Sequence, residues 1–371
     1  MNPLDLARPE IRALQAYSSA RMEARGCGVL LNANESPWPP FGHDNGWNRY
    51  PDPQPAALLD RLAELYGVEP SRVLAGRGSD EGIDLLVRAF CAARRDAILV
   101  SPPTFGMYAT SARVQGAGVI ESPLRDDFTV DADALLAKVT PAVKLVFVCA
   151  PNNPTGASVP RATILRMAEA LRERALLVVD EAYVEFLEPD AGCGSVAGCA
   201  GTPANLVVLR TLSKAWALAG ARVGALLADA RVVALLRKLM PPYPLPAPCV
   251  EAALRAVSAA GECMMRERVA LTVRERARVG TAMAQLACVR EVLPSQANFL
   301  TVRFHDPEAV IGALSRAGIV VRDVRRYPSL GDALRITLGT PAENDRVLRT
   351  LDACRGAAAA GRGAMRVEQP A

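Results

Sequence analysis

From about residue 72 the chain alternates short apolar runs with longer stretches whose apolar positions recur every three to four residues. The runs at 72–75, 97–100, 143–150, 175–180, 205–210 and 223–228 are short and mostly apolar. They read as strands covered on both faces. Residues 80–93, 160–174 and 229–240 carry the helical period between them. Strand and helix in alternation predict an α/β unit, a mostly parallel sheet between two layers of helices. The alternation stops at the proline cluster 241–248. Beyond it comes an Arg/Glu/Ala-rich helical region at 249–289. A strand at 298–303, a helix at 307–317, strands at 319–323 and 334–337, and a helix at 342–354 follow. That second part reads as a smaller α+β domain. Four segments are expected: an arm over 1–44, a large domain over 45–245, a small domain over 246–355 and a disordered, low-complexity tail over 356–371.

Composition narrows the chemistry. The 371 residues carry 43 Lys+Arg against 39 Asp+Glu, a net charge of +4 that is too small to imply a nucleic-acid-tracking surface. Mean hydropathy is high at +0.13. Yet no run approaches the roughly 20 apolar residues of a membrane span, and the first residues lack the apolar core of a secretory signal. The nine cysteines show no C-x-x-C spacing and read as reduced, cytoplasmic thiols. There are two histidines, His43 and His305, both in loop-like contexts, so a Ser-His-Asp triad or a multi-His metal site is not expected. Lysine occurs four times, at Lys138, Lys144, Lys214 and Lys238. Any chemistry that needs an amine must use one of these.

Four stretches carry candidate chemistry. Lys214 follows a strand in RTLSKAWALAGARVG, with Thr211, Ser213 and Arg222 nearby: an anion-binding environment beside an amine. Asp180 ends the apolar run of LLVVDEAYVEF, where open α/β sheets place ligands; an N-cap or structural ion pair is the competing reading. CAPNNPTG ends another strand in a turn holding Asn153, or an ordinary Asn-Pro turn. AGRGSDEGIDLL reads strand, turn, helix, so the amides of Gly78, Ser79 and Asp80 would face an anion, or Ser79 or Asp80 would simply cap the helix.

Taken together, in this order, the four stretches resemble the fold-type I pyridoxal-phosphate aminotransferases from about residue 30 to 354. The strings LNANESPWPP, RYPDPQP, GRGSDEGIDLLVRAFC, SPPTFGMY, CAPNNPTG, VVDEAYVEF, RTLSKAWALAG and LRITLGT are similar to those of histidinol-phosphate aminotransferases within that family. The resemblance implies a large domain with a mostly parallel seven-stranded sheet and a smaller α+β domain. It implies a homodimer with a shared active site, the arm packing on the small domain and the partner subunit. Pyridoxal 5′-phosphate would be the cofactor. Lys214 would bind it covalently and then move the substrate proton; Asp180 would pair with its ring nitrogen; Asn153 and Tyr183 would hold its ring oxygen; Phe105 would stack on the ring. Gly78, Ser79, Asp80, Thr211, Ser213 and Arg222 would hold its phosphate, joined by Tyr50 from the partner subunit. Arg335 would bind the substrate carboxylate, Arg322 would be a second clamp, and Tyr17, Asn32 and Tyr108 would complete the substrate site.

The implied reaction interconverts histidinol phosphate plus 2-oxoglutarate with imidazole acetol phosphate plus glutamate. Three alternatives stay open at this point: an aromatic amino acid aminotransferase, a threonine-phosphate decarboxylase on the same scaffold, and a non-catalytic protein that kept the cofactor pocket. Lysine, aspartate and asparagine are common to all of these, and pocket shape decides among them.

Overall fold

A computed structural model describes residues 2–17, 19, 29–42, 46–188 and 192–354. His43 and the tail at 356–371 lie outside the described residues.

The apolar runs form strands β1 (Val73–Gly76), β2 (Ala97–Val100), β3 (Gly118–Glu121), β4 (Val143–Cys149), β5 (Leu176–Asp180), β6 (Leu206–Thr211) and β7 (Gly224–Leu227). They make one sheet in the order β1-β7-β6-β5-β4-β2-β3. The pairs β3/β2, β2/β4, β4/β5 and β5/β6 are parallel, whereas β7 runs antiparallel to both β6 and β1. Both faces are buried, as the continuous apolar runs require. In β4, Leu145, Phe147 and Cys149 join the core on one face and Val146 and Val148 the core on the other.

Helices α1 (Ala56–Tyr66), α2 (Ser79–Phe90), α3 (Met107–Gln115), α4 (Arg161–Ala170), α5 (Ala230–Arg237) and α6 (Ala247–Ala256) cover the sheet. Buried residues of α1, α4 and α6 pack on one face, those of α2, α3 and α5 on the other. The carboxyl ends of β1, β2, β4, β5 and β6 all reach one edge of the sheet, because β1 and β6 are both antiparallel to β7. That edge is where the chain's turns can converge on a ligand.

A second, antiparallel sheet holds β8 (Val289–Val292), β9 (Phe299–Phe304), β10 (Arg322–Asp323) and β11 (Ala333–Thr337) in the order β10-β11-β9-β8. Helices α7 (Ala259–Met283), α8 (Pro307–Arg316) and α9 (Pro341–Asp352) pack on it around Val279, Leu300, Val302, Leu314 and Leu351. Thr340 and Glu343 form a reciprocal capping box that starts α9.

The structure departs from the sequence expectations in several places, among them the strand expected at 319–323, which is only Arg322–Asp323. β3 was not expected at all. The helical region at 249–289 is two helices and a strand: the backbone turns at Val257, and Ser258 caps α7 by accepting from the Gly261 amide at 3.2 Å. Leu245, Val250, Ala253 and Val257 belong to the first sheet's core, as do Met265, Ala297 and Phe299 from farther along the chain. The start of the arm lies on the first sheet's helices, not on the second sheet. There Arg8 donates to the carbonyls of Ala89 and Arg88 at 3.0 and 2.8 Å, while Leu4, Leu6 and Ile11 pack on that core. Among the described residues no helix is long and apolar enough to cross a membrane.

Candidate active site

A cavity of about 760 Å³ opens at the carboxyl edge of the first sheet, walled on its far side by β10, β11 and the loop after β10. Its floor comes from the strand ends. β1 ends in a turn at Gly78, whose φ of +79° is open to glycine at low cost and which caps α2. Glu81 fixes the turn by accepting from the Arg77 amide at 2.7 Å. The close approach continues at Gly224 on β7, where a Cβ would sit 2.8 Å from the backbone of Gly78 and from the Arg210 carbonyl. The first-turn amides of α2, at Ser79 and Asp80, have no carbonyl ahead of them within the helix. Arg222, in the left-handed region at φ +55°, reaches into the same corner and donates to Ser213 Oγ at 3.3 Å and Asp80 Oδ2 at 3.1 Å. Thr211 and Ser213 complete an anion-binding corner at a helix N-terminus.

Asp180, at the end of β5, is 2% exposed and forms no ion pair among the described residues. Its carboxylate accepts from the Tyr108 hydroxyl at 2.7 Å and the Ala182 amide at 3.1 Å. Burial raises its pKa to about 6 despite these two donors, with Asp80 and Glu181 pushing the same way. An acid this buried, with no ion-pair partner among the described residues, is suited to a positively charged ligand.

Lys214 follows β6, and its Nζ lies 5.6 Å from the centre of the Tyr183 ring. Its side chain is accessible from the open cavity, yet the walls remove enough water to depress its pKa, aided by the charges of Arg335 and Arg222. Desolvation leads, and the neighbouring cations come second. A lysine in this state has more of the neutral amine that nucleophilic and base chemistry need. Tyr183 accepts from Asn153 Nδ2 at 3.4 Å, and its phenol is raised by burial, so it stays protonated. Arg335 Nη1 donates in turn to Asn153 Oδ1.

The far wall is cationic. Arg322 and Arg335 are direct cross-strand partners on β10 and β11. Arg335 sits 5.2 Å over the Phe299 ring and leaves a buried Nε without a partner. Arg322 forms no ion pair with its neighbour: Asp323 is held by Arg325 through Nε at 3.1 Å and Nη2 at 2.7 Å. Arg326 and Arg113 also line the cavity. Arg326 packs 5.1 Å from the centre of the Tyr327 ring, and Tyr327 donates to the Thr104 carbonyl at 2.7 Å, tying this wall to the loop that carries Phe105. Sequence reasoning missed Arg326, Tyr327 and Arg113. The first two follow Arg322 closely in the chain, but nothing in the sequence places Arg113 of α3 opposite them.

Thus Ser79, Asp80, Phe105, Asn153, Asp180, Tyr183, Thr211, Ser213, Lys214, Arg222, Arg322 and Arg335 all line this one cavity. Gly78 lies directly behind it against Arg222. Four other expected site residues do not line it. Tyr108, assigned to substrate from sequence, is fully buried behind the cavity, stacked on Phe147 at 4.7 Å with its hydroxyl on Asp180. Tyr17 is 71% exposed, and Asn32 is exposed. Tyr50 stacks on Tyr243 at 4.3 Å in a separate surface recess beside Glu35, Trp47 and Arg49.

The chain is similar to the histidinol-phosphate aminotransferase of Stenotrophomonas maltophilia, 52% identical over 361 residues that cover 96% of this chain and 98% of the relative. The corresponding protein of Xanthomonas euvesicatoria is 52% identical over 94% of this chain and 96% of its own. Among solved structures, the histidinol-phosphate aminotransferase of Sinorhizobium meliloti in complex with pyridoxal-5′-phosphate superposes with a TM-score of 0.74 at 28% identity, covering 82% of each chain. The model of the aminotransferases of class I and II matches residues 27–351, both sheets and every cavity residue named above, and the chain belongs to that family.

Proposed function

We propose that the chain is a pyridoxal-phosphate-dependent transaminase that interconverts histidinol phosphate plus 2-oxoglutarate with imidazole acetol phosphate plus glutamate, in histidine biosynthesis. One observation carries the reading: a buried, unpaired carboxyl at Asp180 and a lysine of lowered pKa at Lys214 share a cavity whose opposite wall is arginine. The donor set fits the cofactor. An anion corner at Gly78, Ser79, Asp80, Thr211, Ser213 and Arg222 suits its phosphate, and Asp180 suits a protonated ring nitrogen. Phe105 offers a ring face.

Bound there, pyridoxal phosphate supplies an aldehyde that takes up amines and a cationic ring that withdraws electrons from the carbon bearing them. The protein does the rest. Asp180 would keep a proton on the ring nitrogen, and Asn153 and Tyr183 would hold the ring oxygen. Lys214 Nζ would hold the cofactor's aldehyde carbon and serve as the base for the proton at the substrate's amine-bearing carbon. Arg335 and Arg322 stand side by side with no carboxylate partner among the described residues, a geometry that suits a carboxylate or a phosphate ester held by paired hydrogen bonds.

The working unit we propose is a cytoplasmic homodimer. Trp38, Phe41, Trp47 and Tyr50 are exposed on one chain, more aromatic surface than a monomer usually leaves to water. Tyr50 is placed outside its own cavity, as a residue that serves a neighbour's phosphate corner would be. The test is a panel of histidinol phosphate, phenylalanine, tyrosine and threonine phosphate, followed by the cofactor's absorbance change in the half-reaction. Histidinol phosphate should react with the highest kcat/KM. A faster reaction with phenylalanine, or carbon dioxide release from threonine phosphate, overturns the substrate assignment.

A further inference from the structure

We propose that Tyr108 is a positioning residue of this site: its hydroxyl holds Asp180 in a fixed plane and in its charged form, ready for the cofactor's ring nitrogen. The inference rests on the reading above. Tyr108 comes from α3, on the far side of β4 from Asp180's own strand neighbour β6, so the contact joins elements distant in sequence. Its ring is clamped, stacked on Phe147 at 4.7 Å and 13° and meeting Phe105 edge-on at 5.6 Å and 83°. A phenylalanine would fill that apolar slot equally well. The hydroxyl is the only polar atom Tyr108 brings, and it donates to Asp180 Oδ2 at 2.7 Å.

Ala182 takes the other carboxylate oxygen at 3.1 Å. Each oxygen has a second lone pair, so the two donors fix the plane and leave an acceptor site free. The same tyrosine therefore braces the carboxyl behind the ring and the aromatic wall against it. Its phenol is raised well above its usual value by burial and by Asp180, so it remains a donor across the working pH range.

The groups that face Asp180 come from every side. They are Asp80 at the start of α2, Cys149 at the end of β4, Glu181 next in the chain, Tyr183 after β5 and Lys214 after β6. Burial, Asp80 and Glu181 disfavour the carboxylate; the hydrogen bonds from Tyr108 and Ala182, with the charge of Lys214, oppose them.

The test measures pyridoxal phosphate affinity of the full-length protein against pH, by absorbance and protein fluorescence. In the unmutated chain, affinity should fall on the acid side as Asp180 protonates. Tyr108→Phe should weaken affinity about tenfold at neutral pH and move that acid limb up by about one pH unit. In an Asp180→Ala background, Tyr108→Phe should change neither quantity. An unmoved limb, or an equal loss in both backgrounds, overturns the inference and reduces Tyr108 to packing. Absence of saturable binding by the unmutated chain overturns the cofactor reading itself, so the two failures are distinguishable.

Discussion

The Arg322–Arg335 pair gives a prediction with two signs. The register of β10 and β11 sets these residues directly opposite each other, so both side chains leave the same face with Cβ atoms roughly 5 Å apart. Like charges so placed cost roughly 0.2–1 kcal/mol. Burial lowers the Arg335 pKa, and the charge of Arg322 adds to that lowering. Asp323, which could have relieved the repulsion, is held by Arg325 instead. Arg322→Gln should therefore stabilise the ligand-free protein by up to ~1 kcal/mol, a rise in Tm of about 1–2 °C for a chain of this size. The same change removes a charge-assisted contact of about 1.5–3 kcal/mol to the substrate phosphate, which lowers kcat/KM for histidinol phosphate about 10- to 100-fold. Histidinol without its phosphate should lose less than about threefold. Scanning calorimetry and steady-state kinetics on the two substrates check both signs. Equal losses for histidinol and its phosphate, with a lowered Tm, would mean that Arg322 is a structural residue and that the anion wall is misassigned.

Two further outcomes follow from the geometry. Burial raises Asp180 from 3.8 to about 6, so the cofactor-free native state binds its proton more tightly than the unfolded chain does. Stability from this group is therefore full below about pH 4 and is lost as pH rises through about 6, a penalty of order ~3 kcal/mol. Asp180→Asn should stabilise the cofactor-free protein at pH 8, by an amount that shrinks toward pH 4 in chemical denaturation; a pH-independent difference would contradict the assignment. For the shared site, mixing inactive Tyr50 and Lys214 single variants should restore part of the activity through hybrid dimers, measured after subunit exchange; activity no greater than that of either variant alone would place Tyr50 outside the partner's site.

How much could be read in advance follows from burial. The six strands carried by continuous apolar runs were legible because burial on both faces leaves an unbroken signature, and β5 and β6 fall within a residue of their expected ends. β3 was not, since Gly118–Glu121 is a half-exposed edge strand of four residues with no apolar run to announce it. The break at Val257 was hidden because α6 and α7 share an Arg/Glu/Ala-rich composition and the only stop signal is a serine cap.

At the site, Lys214, Asp180 and Asn153 could be found because each sits at a strand's carboxyl end, where topology fixes position. Tyr108 was expected at the substrate and instead lies buried behind the cavity with its hydroxyl on Asp180. Its helix was legible, but which side chain points behind β4 rather than into the cavity depends on how α3 rolls against Phe147. The buried Glu181–Arg210–Glu185 group, with Arg210 also 4.7 Å over the Tyr66 ring, was unreadable for the same reason: its members meet only after the strands pair.

The account turns on which amine the cofactor meets. With four lysines in the chain, borohydride reduction of the pyridoxal-phosphate-loaded protein followed by peptide mass mapping answers this directly. The cofactor's mass should appear on Lys214 and vanish in Lys214→Ala. The same mass on Lys138, Lys144 or Lys238, or on no lysine, would contradict the site.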